Sequence, residues 1–356
     1  MPYQMIQYDN PNFNSQKDNR IPLIIARSAQ HLREPFFSQS ETKDRFREVS
    51  GNIRKFDDTE LSSKLSESVR GQQVVILCSF RAIPGVASIN DLIMEVGMYC
   101  NAAHGAGAEK IILIAPYFPY MRQDKKHESR SSAFIRTMID IFKAFHVDQI
   151  ITLDLHAEAS ETAFDPNPIH LKTPVAKIFA NFVNAHPSFR ENSNIIIASP
   201  DKGGYPRAAN FAKILGFPQE RVITGVKDRN LADGEIHHAH FNGDFEDALV
   251  LVIDDIISTG TTIVSFTDIL RAKGVRDIWV FATHGVLPDK AYEILPSAKI
   301  SQLVTTNGNN YDPIISDNFE HCIIDLSSLL AQSALLYVNG GSISRDLVLP
   351  TFEFTS

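Results

Sequence analysis

Val250-Leu251-Val252-Ile253-Asp254-Asp255-Ile256-Ile257-Ser258-Thr259-Gly260-Thr261-Thr262 joins four apolar residues, two adjacent carboxylates and a turn of small hydroxyl residues and glycine. Beyond it, Ile263, Phe266, Ile269 and Leu270 recur at helical spacing, so the stretch reads as a buried strand feeding a polar turn at a helix N-terminus. Such a turn holds a phosphate: its backbone N–H groups and hydroxyls donate to the oxygens, and the helix dipole favours the negative charge. Asp254 and Asp255 sit where the strand is expected to end, placed to accept hydrogen bonds from ribose hydroxyls or to carry Mg²⁺. An ordinary capped turn needs one hydroxyl and no acid pair. The stretch therefore predicts a site for a phosphorylated sugar.

Working outward, short and nearly continuous apolar runs recur at Val74–Leu77, Ile111–Ala115, Ile150–Leu153, Ile195–Ala198, Leu249–Ile253, Ile278–Ala282 and Cys322–Ile324. Helical patterns fall between them at Asp91–Ala106, Ala133–Phe145, Val175–Asn184, Arg207–Leu215, Thr262–Ala272 and Ser327–Val338. Strand, functional loop and helix repeat in both halves, which predicts two similar α/β domains with buried, mainly parallel sheets. Their binding loops should lie beyond the C-terminal strand ends. Residues 1–20 read as a loose arm, 21–168 as a first domain and 169–356 as a second, divided where two prolines interrupt the pattern at Asp165–His170.

The chain has 356 residues, enough for two ordinary cores, and its net charge of −8 supplies no basic field for nucleic acid. Anionic substrates must be caught by local basic loops. Cys78, Cys100 and Cys322 are widely spaced and form no C-x-x-C pair, as in a reduced cytoplasmic protein. The polar start lacks the apolar stretch of a signal peptide, and no apolar run reaches the ~18 residues of a membrane helix.

Four further loops carry chemistry. Pro116–Lys126 joins aromatics that can stack on a base to Arg122, Lys125 and Lys126, which can grip a polyphosphate. Asp154 and His156 end the next strand two residues apart, a plausible contact for Mg²⁺–ATP. Ser199–Arg207 couples paired glycines to Asp201, a metal or sugar ligand, and to Arg207 at the start of a helix. Lys227 and Arg229 point the same way on an extended segment and could stabilise charge on a transferring group. They open a polar stretch, Asn230–Asp247, that reads as a solvated loop or lid; its His237, His238 and His240 have no fourth ligand at finger or zincin spacing.

Taken in order, these loops resemble ribose-phosphate pyrophosphokinases. The matching pieces are Phe56–Glu60, Ser88–Asp91, Pro119–Lys126, Asp154–Ala157, Ser199–Gly204, Lys227–Arg229, Asp254–Thr262, Thr283–Gly285 and Asn339–Ser344. The resemblance implies two tandem type I phosphoribosyltransferase-like domains, the last helix packing back on the first. It implies transfer of pyrophosphate from Mg²⁺–ATP to the 1-hydroxyl of ribose 5-phosphate, giving phosphoribosyl pyrophosphate and AMP. In that scheme Lys227 and Arg229 are the catalytic pair. Asp58, Glu60, Arg122, Gln123, Asp124 and His156 bind ATP, with Asp58 and Glu60 reaching in from a neighbouring subunit. Asp254, Asp255, Ser258, Thr259, Gly260, Thr261 and Thr262 bind ribose 5-phosphate, and His156 and Asp201 belong to the magnesium environment. A homo-oligomer built from dimers, up to a hexamer, follows from the shared site, with neither nucleic acid nor membrane as partner.

The chain also departs from the pattern. Ser131-Ser132 stand where a proline is usual, the lid is long and histidine-rich, and residues 36–55 read as an insertion. The family's regulatory phosphate pocket is echoed by Ser68, Arg70, Ser342 and Ser344, with Gly107 at a position where serine occurs. Two rivals remain. A phosphoribosyltransferase consuming the same product should have one domain and no ATP loop. A silent regulatory paralogue should have lost Lys227, Arg229 or the acid pair.

Overall fold

The computed structural model describes residues 18–38, 42–126, 129–164, 168–170, 172–190, 194–226, 235–237, 245–246, 248–309 and 312–354. The first half contributes β1 (Ile21–Ile25), α1 (Arg33–Ser38), β2 (Phe46–Glu48), β3 (Gly51–Lys55), β4 (Leu61–Leu65), β5 (Gln73–Leu77), α2 (Ile89–Gly105), β6 (Lys110–Ala115), α3 (Ile135–Ala144), β7 (Gln149–Thr152) and β8 (Pro168–His170). The second contributes α4 (Lys172–Ala185), α5 (Pro187–Arg190), β9 (Ile195–Ser199), α6 (Tyr205–Leu215), β10 (Val222–Val226), β11 (Glu235–His237), β12 (Leu249–Ile257), α7 (Thr261–Ala272), β13 (Asp277–Gly285), α8 (Asp289–Ile294), β14 (Gln302–Thr306), β15 (Glu320–Ile324), α9 (Ser327–Val338) and α10 (Ile343–Asp346).

One sheet has the order β2-β1-β5-β6-β7-β8 with every pairing parallel. The other has the order β11-β10-β9-β12-β13-β14-β15, parallel except where β11 runs against β10. The two are wound alike. In each, the first strand crosses to a neighbour on one side, and the strand beside it begins a series of crossovers in the opposite direction. The point where direction reverses lies between β1 and β5 in the first sheet and between β9 and β12 in the second. Loops there open beyond the strand ends and form a natural crevice.

Alternation along each strand makes the layers. Val75 and Leu77 of β5, with Ile195 and Ile197 of β9, join one apolar cluster with α4, α6 and α9 between the sheets. Val74 and Ile76 turn the other way, onto α2 and α3, while Ile196 and Ala198 face α7 and its neighbours. Each buried Val, Leu or Ile contributes about 1.5–3 kcal/mol of transfer free energy. The last long helix, α9, lies against α1, β6 and β7 of the first half.

The structure alters several expectations. β12 runs on to Ile257, paired with β13 as far as Gly285, so Asp254 and Asp255 lie inside the strand. What ends near them is β9, whose last pairing is Val252 with Ala198. β7 stops at Thr152, leaving Asp154 and His156 in the loop beyond it. Residues 46–55, read as part of an insertion, form β2 at the sheet edge and one arm of the β3–β4 hairpin, whose partner surface is α2. Glu235–His237, expected within a loop, form an antiparallel edge strand. Residues 1–17 of the expected arm lie outside the described residues, while Asp18 is tied to Arg20 and accepts at its carbonyl from Gln72 Nε2 at 2.9 Å.

Candidate functional site

The second reversal point gathers the acids. β12 delivers Asp254 and Asp255 on successive residues, hence on opposite faces. Asp255 is buried: His156 Nδ1 donates to its Oδ2 at 2.8 Å, and Arg207 Nη1 lies 3.2 Å from Oδ1. Asp254 keeps about a fifth of its side chain open, with Arg207 Nη1 at 3.8 Å. Arg207 enters from the first turn of α6, where it also faces Asp154 at 3.4 Å. Asp154 in turn accepts from Thr283 Oγ1 at 2.9 Å, and its carbonyl accepts from His284 Nε2 at 3.0 Å. One guanidinium thus faces three carboxylates from both halves of the chain.

These contacts set the charges. Burial would raise Asp255, but the hydrogen bond from His156 and the charge of Arg207 outweigh it and hold it at about 2. Burial and then the adjacent Asp255 charge push Asp254 well above the ordinary carboxylate range. Asp154 is raised by burial against the pull of Arg207. The bond to Asp255 raises His156, whereas burial lowers His284. His284 therefore donates from Nε2 as a neutral ring, and its Nδ1 is an acceptor.

The turn after β12 follows directly. Gly260 has φ +85°, a left-handed conformation, and begins α7 with no side chain capping the helix. An added Cβ there would meet Leu295 at 2.5 Å, so only glycine fits. Ser258, Thr259, Thr261 and Thr262 surround this N-terminus, with the hydroxyls of Thr259 and Thr261 3.3 Å apart. Val264 N–H already bonds to Gly260 O; N–H groups before it have no intrahelical acceptor.

From the first half, the loop after β6 brings Tyr117 into an edge-to-face contact with His284 at 5.3 Å, and Tyr117 also lies against Arg122. Asp124 acts on His156 through its charge. Gln123 is exposed, and its backbone carbonyl accepts from Phe134 and Ile135 N–H. Asp201 caps the turn before α6, accepting from Gly204 N–H at 3.1 Å. Asp58 and Glu60 lie on the exposed turn of the β3–β4 hairpin, beside Phe56 under Arg54. The structure thus joins His156, Asp254 and Asp255 directly, and sets the hairpin residues apart from them. Lys227, Arg229, His238 and His240 lie outside the described residues. Among the described residues no three His, Cys, Asp or Glu side chains are spaced to hold a metal on their own.

Five buried polar atoms here have no hydrogen-bond partner: Arg122 Nε, Asp124 Oδ1, Asp154 Oδ1, Arg207 Nε and His284 Nδ1. Native interiors leave few such atoms, so a concentration of them marks a place for a ligand or water. The sequence marks Arg207 at a helix start in a ligand loop and Thr283–Gly285 among the matching pieces, but it assigns neither a contact; the cation in the first turn of a helix, against the dipole, is the local signal for Arg207.

Comparison with known proteins agrees with this geometry. Residues 37–145 match the family model described as the N-terminal domain of ribose phosphate pyrophosphokinase, and 236–347 match the phosphoribosyl synthetase-associated domain. Residues 37–55 thus lie within the stretch that matches the family domain. A ribose-phosphate pyrophosphokinase of Campylobacter jejuni is 34% identical over 256 residues, covering 72% of this chain and 78% of that one. Ribose-phosphate pyrophosphokinase 3 of Saccharomyces cerevisiae is 32% identical over 303 residues, covering 83% and 88%. The crystal structure of phosphoribosylpyrophosphate synthetase from Mycobacterium smegmatis superposes with a TM-score of 0.77 at 26% identity, covering 90% of this chain and all of that one.

Proposed function

This chain belongs to the ribose-phosphate pyrophosphokinase family, and we propose that it transfers pyrophosphate from ATP to the 1-hydroxyl of ribose 5-phosphate at the junction of β12 and α7. The observation that carries this reading is the group of unpartnered buried atoms from both halves around one arginine-centred acid cluster.

The 5-phosphate sits on the N-terminus of α7, where Ser258, Thr259, Gly260, Thr261 and Thr262 supply hydroxyls and backbone donors. Asp254, the more open of the two acids, takes the ribose hydroxyls. Asp255 sets the charge and direction of His156, and Arg207 keeps the acid pair from repelling an anionic substrate. Arg122, Gln123, Asp124 and His156 hold ATP. Asp58 and Glu60 serve the adenine of a neighbouring subunit, since their exposed turn projects from the domain that bears it. Lys227 and Arg229 neutralise charge as AMP leaves. The 1-hydroxyl oxygen attacks the β-phosphorus in line; the bond to the β-phosphorus forms as its bridge to the α-phosphate breaks. Positioning and charge neutralisation do most of this work.

The donor set suits Mg²⁺, which prefers oxygen: Asp124 has an unpartnered carboxylate oxygen, and Asp201 and His156 flank the same crevice. His156 engages Asp255 through Nδ1, which leaves Nε2 to face a magnesium-bound ligand or water. Bound with ATP, the ion would neutralise the polyphosphate. We assign residues 21–168 to the ATP side, 169–356 to the sugar side, a homo-oligomeric assembly and a cytoplasmic location. The location rests on free cysteines, of which Cys78 and Cys100 are buried. No described helix is long and apolar enough to cross a membrane.

The test is to incubate pure protein with ribose 5-phosphate, Mg²⁺ and ATP and to resolve the products over time. Equal amounts of AMP and phosphoribosyl pyrophosphate, formed only with ribose 5-phosphate, are expected. Absence of AMP would point instead to a silent regulatory paralogue.

A further inference from the structure

The first sheet has its own reversal point, between β1 and β5, and it too is open. A cavity of about 490 Å³ lies there, lined by Arg27, Ser28, Gln30 and His31 after β1, by Arg81–Pro84 after β5, and by Asp312 from the second half. That volume is in the range of small-molecule sites, and its place in the winding matches that of the acid cluster in the second sheet. Its chemistry is reversed. Where the second crevice presents aspartates, this one presents two arginines.

Both arginines are held ready. Arg27 is anchored by the fully buried Glu95, which accepts from its Nε at 2.8 Å and from its backbone N–H at 3.0 Å. This fixes the side chain while leaving its Nη donors for whatever enters the crevice. Arg81 Nη2 donates to Asp312 Oδ2 at 3.0 Å, a pair whose carboxylate is half exposed at the rim. Exposed pairs of this kind are weak, so an incoming anion can exchange with Asp312 at little cost. Ala82, Ile83 and Pro84 add an apolar wall. The rest of the binding group differs from the second crevice, because Ser88 and Asp91 close the first turn of α2 with a capping box.

We propose that this crevice binds the phosphate group of a small phosphorylated molecule, with Arg81 and Arg27 as its donors and Asp312 as the carboxylate that holds the place in its absence. The apolar wall takes the remainder of the ligand. Arginine suits the task because its planar fork meets phosphate oxygens in pairs. This site is separate from the β12–α7 junction and does not rest on the activity proposed there.

The test is equilibrium dialysis of the full chain against labelled inorganic phosphate, with and without saturating ribose 5-phosphate. In the presence of the sugar phosphate, wild type should retain a bound phosphate. Arg81→Met should weaken it about tenfold, the loss of a charge-assisted hydrogen bond. Asp312→Asn should tighten it, by up to about fivefold, because the competing carboxylate is gone. Opposite signs from the two partners of one ion pair are not produced by a purely structural bridge. The proposal fails if ribose 5-phosphate displaces all bound phosphate, if both variants shift the affinity in the same direction, or if neither shifts it. Failure to retain ribose 5-phosphate itself would count against the β12–α7 assignment, and the two variants would still decide this one.

Discussion

α2 and α7 occupy equivalent places in two sheets wound the same way, and their first turns are finished differently. At α2, Ser88 accepts from Asp91 N–H at 3.2 Å and Asp91 accepts from Ser88 N–H at 2.8 Å, so the helix satisfies two of its own N-terminal donors. At α7 a left-handed glycine opens the helix and no side chain caps it. Free donors at a helix end lower stability, and a fold retains them where something else will fill them. The chain closes one helix N-terminus with its own side chains and leaves the other uncapped. In the first half the catching of anions passes to arginine side chains.

The largest expected effect comes from the second crevice. Arg207→Ala strands Asp154, Asp254 and Asp255 around a vacated centre, and should cost about 3–5 kcal/mol of stability together with all activity. Arg207→Lys should rescue little, since a point charge cannot face three carboxylates as a planar fork does. Denaturant unfolding reads this out, and a loss under 1 kcal/mol would remove Arg207 from the centre of the cluster.

Next come two glycines that share a conformation. Gly260→Ala adds a Leu295 contact at 2.5 Å to a φ of +85°, so its cost should exceed the ~1–2 kcal/mol of the left-handed backbone alone, and KM for ribose 5-phosphate should rise. Gly85→Ala, in the first crevice loop at φ +70° with nothing within 4 Å, should cost only the backbone part and leave KM unchanged. Equal costs would mean that Leu295 gives way freely.

The capping comparison is sharper though smaller. Ser88→Ala should lower stability by about 1 kcal/mol without changing KM. Thr261→Val, at an exposed position of α7, should do the reverse. The contrast collapses if both variants move the same quantity.

The smallest effect is a pH dependence at the second crevice. His156 is raised by its bond to Asp255, so the stability this pair adds is complete below about pH 6.5 and is lost as pH rises through the raised His156 value. On the acid side it is lost below the ordinary Asp range, as pH falls toward the Asp255 value of about 2. His156 is more than a third exposed, so the amplitude should be modest. His156→Gln should flatten unfolding curves compared above and below that window; an unaltered profile would assign the pH dependence elsewhere.

Much of this was legible in the sequence, for physical reasons that also explain the gaps. Strands buried on both faces are continuous apolar runs, and β5, β6, β7, β9 and β13 are of that kind. Others did not announce themselves. β14 reads Gln-Leu-Val-Thr-Thr, polar at three of five positions, yet it is fully buried because its hydroxyls are satisfied: Thr306 donates to Thr283 O at 2.6 Å and Thr305 meets His321 at 2.8 Å. β2 is an edge strand carrying Arg47 and Glu48, and the β3–β4 hairpin is largely exposed, so neither needs an apolar pattern. In the site, the acid pair and the glycine turn lie together in the chain and could be read together. The capture of Asp154 by Thr283 spans 129 residues. No local pattern encodes it, nor does any local pattern say that Asp255 faces inward and Asp254 outward.

The wiring of Asp154 also bears on how the chain is made. The first half emerges from the ribosome with Asp154 ahead of Arg207, Thr283 and His284, the second-half residues that surround it in the full chain. Until they appear, the loop after β7 lacks the contacts that fix it in the full chain. That loop should therefore reach its final form only once the second half has been synthesised.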